Sequence, residues 1–119
     1  MMSSTLDQVQ NVDIDSKGRF KYILVKIKDG SHHKYIVRGY GRAGFHADIY
    51  DEILPELQRL GLHSDCVGGG RIEHNSDIGT ILVYGYSIGF GRADHSISTE
   101  ILKNYFPAYK SITFSNEGY

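Results

Sequence analysis

Apolar and polar positions change rhythm along the chain, and the rhythm marks its elements. Over Phe20–Lys28 the pattern has period two. Phe20, Tyr22 and Leu24 point one way, and Lys21, Ile23, Val25 and Ile27 the other. Apolar residues on both sides predict a central strand covered on both faces. Asp29-Gly30 is a turn signal, and Lys34–Tyr40 reads as the returning strand of a hairpin whose loop exceeds two residues. Val9–Asp15 predicts a short first strand, with Ser16-Lys17-Gly18 as the turn after it. Between His46 and Leu60 the period lengthens. Ile49, Ile53, Leu57 and Leu60 form one helical stripe, closed by Gly61. Pro55 lies inside this helix and predicts a bend between Asp51 and Pro55.

His63–Val67 reads as a strand running into Gly68-Gly69-Gly70, followed by Arg71–His74 and a turn at Asn75-Ser76-Asp77. Thr80–Ile88 alternates again and predicts a second strong strand, then a loop over Gly89–Asp94. A second helix is predicted from Ser96 to Tyr105, with Ile97, Ile101 and Tyr105 as its stripe and Pro107 as its stop. Ile112–Phe114 reads as a last strand and Asn116–Tyr119 as a tail. The order of strands, helix, strands, helix, strand predicts an α+β fold with helices packed on a sheet.

The chain has 119 residues, which predicts a single domain over 1–119. Thirteen Lys and Arg against fourteen Asp and Glu leave a net charge of −1. That balance argues against a general binder of nucleic acid or anionic membrane, though a local basic pocket remains compatible with it. A lone cysteine, Cys66, excludes an internal disulfide and a cysteine-rich zinc site, and suits a reducing cytosol. Apolar runs are too short for a membrane helix, and the start of the chain lacks the basic and apolar blocks of a signal peptide. Cytoplasmic location is the expectation. Fourteen glycines against two prolines, in a chain rich in aromatic and β-branched residues, must occupy chosen places in a folded domain.

Among residues that could carry chemistry, His46 stands where a loop becomes a helix. First-turn amides favour an anion there, and an imidazole beside them suits phosphate chemistry. A histidine at that position is more often a plain surface or capping residue. A metal reading of His46, Asp48 and Asp51 fails on spacing, because residues two apart on a helix do not face each other and His32, His33, His63, His74 and His95 lack ligand spacing. No metal and no cofactor are expected. Lys21 is the polar exception on its strand face, and Arg38 sits at a similar strand end. Arg71 follows three glycines, which suits either an anion nest or a tight bend. Ser87 ends its strand and could donate to a phosphate oxygen. Cys66 has no base nearby in sequence and reads as an inert thiol. On these features alone the chain offers an anion site.

Several segments in order are more specific: Val12-Asp13-Ile14-Asp15, Phe20-Lys21-Tyr22, Val37-Arg38-Gly39-Tyr40, His46-Ala47-Asp48-Ile49-Tyr50-Asp51, Gly68-Gly69-Gly70-Arg71-Ile72, Val83-Tyr84-Gly85-Tyr86-Ser87 and Ile97-Ser98-Thr99-Glu100. Together they resemble the protein histidine phosphatase (janus) family from about Val12 to Tyr119. The resemblance implies a monomer with a mixed sheet of about six strands and one helix on each face. It implies a metal-independent phosphatase acting on the P–N bond of phosphohistidine, or phospholysine, in proteins. By the same resemblance the essential histidine is His46, phosphate is held by Lys21, Arg38, the Ala47 amide, Ser87 and Gly89, and Arg71, His74 and His95 support the site. The sequence departs from the family at Phe45, where Tyr is frequent, at Gly89, where Ala stands, and at Pro55.

The implied partners are histidine-phosphorylated proteins, with neither nucleic acid nor membrane. The leaving imidazole needs little acid assistance, so the site must hold the phosphoryl oxygens and supply a base or nucleophile in line. His46 could fill either role. Both need its neutral form, which nearby Lys21 and Arg38 would favour, so acid should reduce activity. The competing class is a non-catalytic binder of phosphohistidine, for which His46 would be dispensable.

Overall fold

A computed structural model describes residues 5–117. Six strands form one mixed sheet in the order β1-β3-β2-β4-β5-β6. They are β1 (Val12–Ile14), β2 (Lys17–Asp29), β3 (His32–Gly39), β4 (His63–Asn75), β5 (Thr80–Tyr84) and β6 (Ser111–Phe114), with helices α1 (His46–Arg59) and α2 (His95–Tyr105). The β1/β3 and β5/β6 pairs are parallel, and the rest are antiparallel.

Strand β2 explains the layering. Its period-two pattern divides the apolar residues between two cores. Tyr22 and Leu24 join Val37, Ile72, Leu102 and Ile112 under α2. Ile23, Val25 and Ile27 join Ile36, Ile49 and Leu57 under α1. One helix therefore covers each face, as expected, and β2 is buried from both sides. Helix α1 packs on β2 and β4, while α2 reaches β1, β3, β5 and β6. Helix α1 ends in a Schellman motif: Gly61 (φ +74°) donates to the Gln58 carbonyl and Leu62 to that of Leu57. Helix α1 runs unbroken through Pro55. Pro55 and Asp51 are both exposed, so the Asp51 carbonyl deprived of its amide partner faces water.

Four predicted boundaries differ from the structure. The first strand spans Val12–Ile14 and not Val9–Asp15, because Val9 donates back to the Leu6 carbonyl (3.1 Å) and closes the 3-10 turn Thr5–Gln8, and Lys17-Gly18 of the expected turn already belong to β2. The β2/β3 loop is shorter than predicted. Asp29 pairs with His32, leaving Gly30-Ser31 as a two-residue turn with the Gly30-first, type II′ pattern. The polar residues His32 and His33 read as loop but are the exposed start of a strand. Strand β5 stops at Tyr84, four residues before the predicted Ile88, where Gly85 (φ +73°) turns the chain away. The predicted tail Asn116–Tyr119 extends beyond the described residues.

The fourth difference matters most. Gly68-Gly69-Gly70 is not a break between two strands but the middle of β4, paired across to Leu24, Ile23 and Tyr22. Val67 is bulged out of that ladder, where the register shifts between Leu24 and Val25. The glycines are there because neighbours come too close for side chains. A Cβ on Gly68 would lie 2.6 Å from the Ala93 backbone. One on Gly70 would overlap the Tyr84 carbonyl and sit 2.8 Å from the His95 ring. Into the gap beyond the end of β5 comes the segment Gly91–Ala93, which bonds Gly69 through both its amide and its carbonyl (each 3.0 Å).

Gly70→Ala therefore forces a backbone shift, and we expect it to destabilise the fold by about 1–3 kcal/mol, the range for overpacking. Urea denaturation measures this; an unchanged midpoint would contradict the packing described.

Candidate functional site

Helix α1 begins at His46, and its cap is unusual. Phe45 occupies the N-cap position, where Ser, Thr, Asp or Asn normally accepts a first-turn amide. Phenylalanine has no acceptor. The Asp48 carboxylate takes the Phe45 amide (2.9 Å), and the Asp48 amide bonds the Phe45 carbonyl (3.1 Å). The amides of His46 and Ala47 are thus left at the positive end of the helix with neither a capping side chain nor an intrahelical partner.

The His46 side chain folds back onto the sheet and is buried. Its ring lies against Gly69: a Cβ there would come within 2.8 Å of His46 Cδ2 and 3.1 Å of Ser87 Cβ. Nε2 is 2.9 Å from the Gly70 carbonyl oxygen. A carbonyl only accepts, so Nε2 carries the proton and donates it, and Nδ1 of the neutral ring holds the lone pair. Burial pushes the imidazole below its ordinary value. The Gly70 carbonyl opposes that shift, while Lys21 and Arg71 reinforce it. Lys21 and Arg71 stand directly opposite each other on β2 and β4, so both face the α1 side of the sheet.

Ser87 enters from the segment after β5. It is buried, and its backbone pairs with Gly91 in both directions (3.1 and 2.8 Å), which closes the tight turn Ser87–Gly91. Its Oγ accepts the Phe90 amide (3.1 Å), leaving the hydroxyl proton available for donation. Phe90 packs edge-on against Tyr50 of α1, tying the turn to the helix.

Lys21, His46, Ala47, Ser87 and Gly89 line one cavity of about 650 Å³, together with Gly44, Phe45, Ile88 and Phe90. Five sequence-named residues from three separated stretches thus meet around one space. Arg71 is not among the residues that line it but acts on His46 from the same sheet face as Lys21, and the structure places Arg38, His74 and His95 elsewhere. Arg38 is buried, donates to the Val37 and Gln10 carbonyls (2.9 and 2.8 Å), and borders a different cavity with Asp13, Glu52 and Glu56. The cations that depress His46 are Lys21 and Arg71, not the expected Lys21 and Arg38.

His74 and His95 lie on the α2 side. His74 donates from Nδ1 to the Asp15 carbonyl (2.7 Å) and accepts the Tyr109 hydroxyl at Nε2 (2.7 Å). His95 donates from Nε2 to the Gly85 carbonyl (2.8 Å) and accepts the Tyr22 hydroxyl at Nδ1 (2.6 Å), while Ser98 in turn donates to Tyr22 (2.9 Å). Both imidazoles have each nitrogen partnered inside the protein. His95 also backs Gly70 from behind the sheet, opposite the face that receives His46.

Burial pushes the Cys66 thiol up to about 11, in keeping with an inert group. Among the described residues no three His, Cys, Asp or Glu side chains converge on a metal position. Sequence reasoning missed the contributions of Gly69, Gly70 and Ile88. A glycine run flanked by strand pattern was the available signal for the first two; nothing along the chain announces that Ile88 projects beside His46.

Comparison with known proteins finds similarity along nearly the whole chain. The profile of the Janus/Ocnus family matches residues 6–110. The 14 kDa phosphohistidine phosphatase of Sus scrofa is 48% identical over 124 aligned residues, covering 98% of each chain. The protein of that name from Homo sapiens is 44% identical, with both chains covered completely. Sex-regulated protein janus-A of Drosophila orena is 43% identical, covering all of this chain and 88% of its own.

The His46 ring should titrate below about 6.5, the ordinary histidine value, and Lys21→Ala should raise its midpoint by removing a positive neighbour. NMR titration of the ring protons tests both, and a midpoint that falls or stays fixed in the variant contradicts the assigned electrostatics. Phe45→Ser supplies the missing cap, so it should raise stability by about 0.5–1 kcal/mol. It should also weaken inorganic phosphate binding by occupying a first-turn amide, a loss readable by calorimetry.

Proposed function

This chain belongs to the Janus/Ocnus family, and from that premise we propose that it is a protein phosphohistidine phosphatase working without metal, with His46 as its reactive group. The observation that carries the reading is the orientation of His46. Its Nε2–H is held by the Gly70 carbonyl, so the lone pair on Nδ1 is available beside two uncapped helix amides.

In this reading the phosphoryl oxygens lie against the amides of Ala47 and Gly89 and the Ser87 hydroxyl. Lys21 offsets their charge, with Arg71 on the same sheet face as the second cation. That assignment moves the second cationic role from Arg38 to Arg71, because Arg38 is engaged with backbone carbonyls at another cavity. The helix terminus adds a positive field without any proton to lose.

Hydrolysis breaks the P–N bond and forms a P–O bond to water. With His46 as general base, Nδ1 takes a proton from water as its oxygen attacks phosphorus. The imidazole nitrogen of the substrate departs with the bonding pair and is protonated. With His46 as nucleophile, Nδ1 bonds to phosphorus as the substrate's P–N bond breaks and its imidazole leaves with the bonding pair and is protonated; water later cleaves the new P–N bond, returning the proton-bearing neutral ring and releasing phosphate. The exchange is nearly even, since both partners are imidazoles. Either way His46 gains positive character, and the Gly70 carbonyl stabilises it through the Nε2 hydrogen bond. Because the neutral ring reacts, activity falls as pH drops through the His46 midpoint, which burial places below the usual range. The similarity to the 14 kDa phosphohistidine phosphatases of Sus scrofa and Homo sapiens supports the substrate class.

The test is phosphate release from a histidine-phosphorylated protein, with and without chelator. Wild type should be active in both conditions, and His46→Ala should lose activity by at least about 10²-fold, the lower range for a positioned base, while keeping its fold. Near-normal activity in a folded His46→Ala protein would overturn the assignment, and binding without release would favour a non-catalytic reader. Alkaline quenching of the wild-type reaction with labelled substrate separates the two roles: label retained on His46 marks it as nucleophile.

A further inference from the structure

The most exposed large apolar side chains among the described residues are Ile88 and Phe45, at 83% and 72%; the others lie at 56% or below. Both belong to the one cavity that contains His46, and each is the sequence neighbour of a residue lining it: Phe45 precedes His46, and Ile88 follows Ser87. They come from different elements, the start of α1 and the turn after β5. Two apolar groups left in water at the mouth of one pocket mark a binding surface rather than scattered exposure.

Each is also locally unfavourable. Phenylalanine at an N-cap forgoes the side-chain hydrogen bond that a polar residue makes there. An isoleucine in the tight turn Ser87–Gly91 leaves most of its apolar side chain in water. Local costs that cluster at one place belong to a functional site.

Resting on the phosphohistidine reading above, we propose that Phe45 and Ile88 grip the imidazole ring of the substrate and thereby select phosphohistidine over phosphoramidates that lack a ring. The direction follows from displacement chemistry. His46 is buried against Gly69 on the floor of the cavity, while Phe45 and Ile88 stand at its exposed rim. Attack at phosphorus places the leaving nitrogen on the side opposite the attacker. With the attacker on the floor, the leaving imidazole points to the rim. The ring is flat and partly apolar, which suits contact with an aromatic face and an aliphatic side chain. The cavity, at about 650 Å³, is also far larger than a phosphoryl group alone fills. Phe45 and Ile88 are therefore specificity-determining residues, separate from the groups that hold phosphate.

The experiment compares kcat/KM for a phosphohistidine peptide with that for inorganic phosphoramidate, which presents the same P–N bond without a ring. The variants are Phe45→Ala, Ile88→Ala and, as a control away from the cavity, Ile78→Ala. Alanine at position 45 is no better a cap than phenylalanine, and Ile88 is almost wholly exposed, so both proteins should fold. The ratio of peptide to phosphoramidate kcat/KM should fall by about tenfold in each cavity variant, the equivalent of one good aromatic contact. It should keep the wild-type value in Ile78→Ala. A wild-type protein active on both substrates, with ratios unchanged in Phe45→Ala and Ile88→Ala, would overturn this inference alone. A wild-type protein active on neither would overturn the phosphatase reading together with it.

Discussion

Close approach to a stretch of backbone without side chains is the constraint on which the rest of the site depends. At Gly69 and Gly70 the central strand β4 is bare. His46 presses onto it from one face, His95 from the other, and Gly91–Ala93 pairs alongside. The bareness brings the Gly70 carbonyl within reach of His46 Nε2. That one bond decides which nitrogen carries the lone pair. It also sets the ring orientation relative to Ser87, whose Cβ shares the space above Gly69. A methyl group on Gly69 would displace His46 and Ser87 together.

The electrostatics follow from the same burial. Taking His46 out of water disfavours its charged form, and Lys21 and Arg71 act in the same direction. The cations that make this side of the sheet positive therefore also disfavour the charged form of its imidazole. His95 is likewise depressed by burial, yet it has no comparable opportunity. Tyr22 and the Gly85 carbonyl occupy both of its nitrogens within the packed interior. Two histidines pressed on adjacent glycines, His46 on Gly69 and His95 on Gly70, from opposite faces of the sheet thus differ in one feature: only His46 keeps a ring nitrogen without a hydrogen-bond partner and lines a cavity.

The mouth of the cavity departs from local preference in a way the rest of the fold does not. Helix α1 closes with a well-formed Schellman motif but opens on a phenylalanine. Helix α2 shows the ordinary arrangement, with Asp94 accepting the Ser96 amide (3.0 Å). The contrast within one protein shows that capping was available and was not used at His46. A polar cap there would occupy a first-turn amide that Phe45 leaves without a side-chain partner.

Much of the architecture was legible in the chain because it depends on near-neighbour periodicity. Alternation along Phe20–Lys28 located β2 and both of its buried faces, and the Ile49-Ile53-Leu57 stripe located α1. The order of elements predicted the α+β class. What failed depended on distant neighbours. The glycine run reads as a break, and the strand reads on past Tyr84, because nothing local announces that the downstream segment Gly91–Ala93 takes the place beside Gly69. His46, Lys21 and Ser87 could be named from residue type and family resemblance. Their convergence, the placement of Arg38 at another cavity and the seclusion of His74 and His95 on the far face could not. Residue order alone suffices for the secondary-structure rhythm, the two-sided central strand and the chemical groups on hand. Which of those groups share a space is settled by folding, because sheet order and close backbone approach are set by packing between segments far apart in the chain.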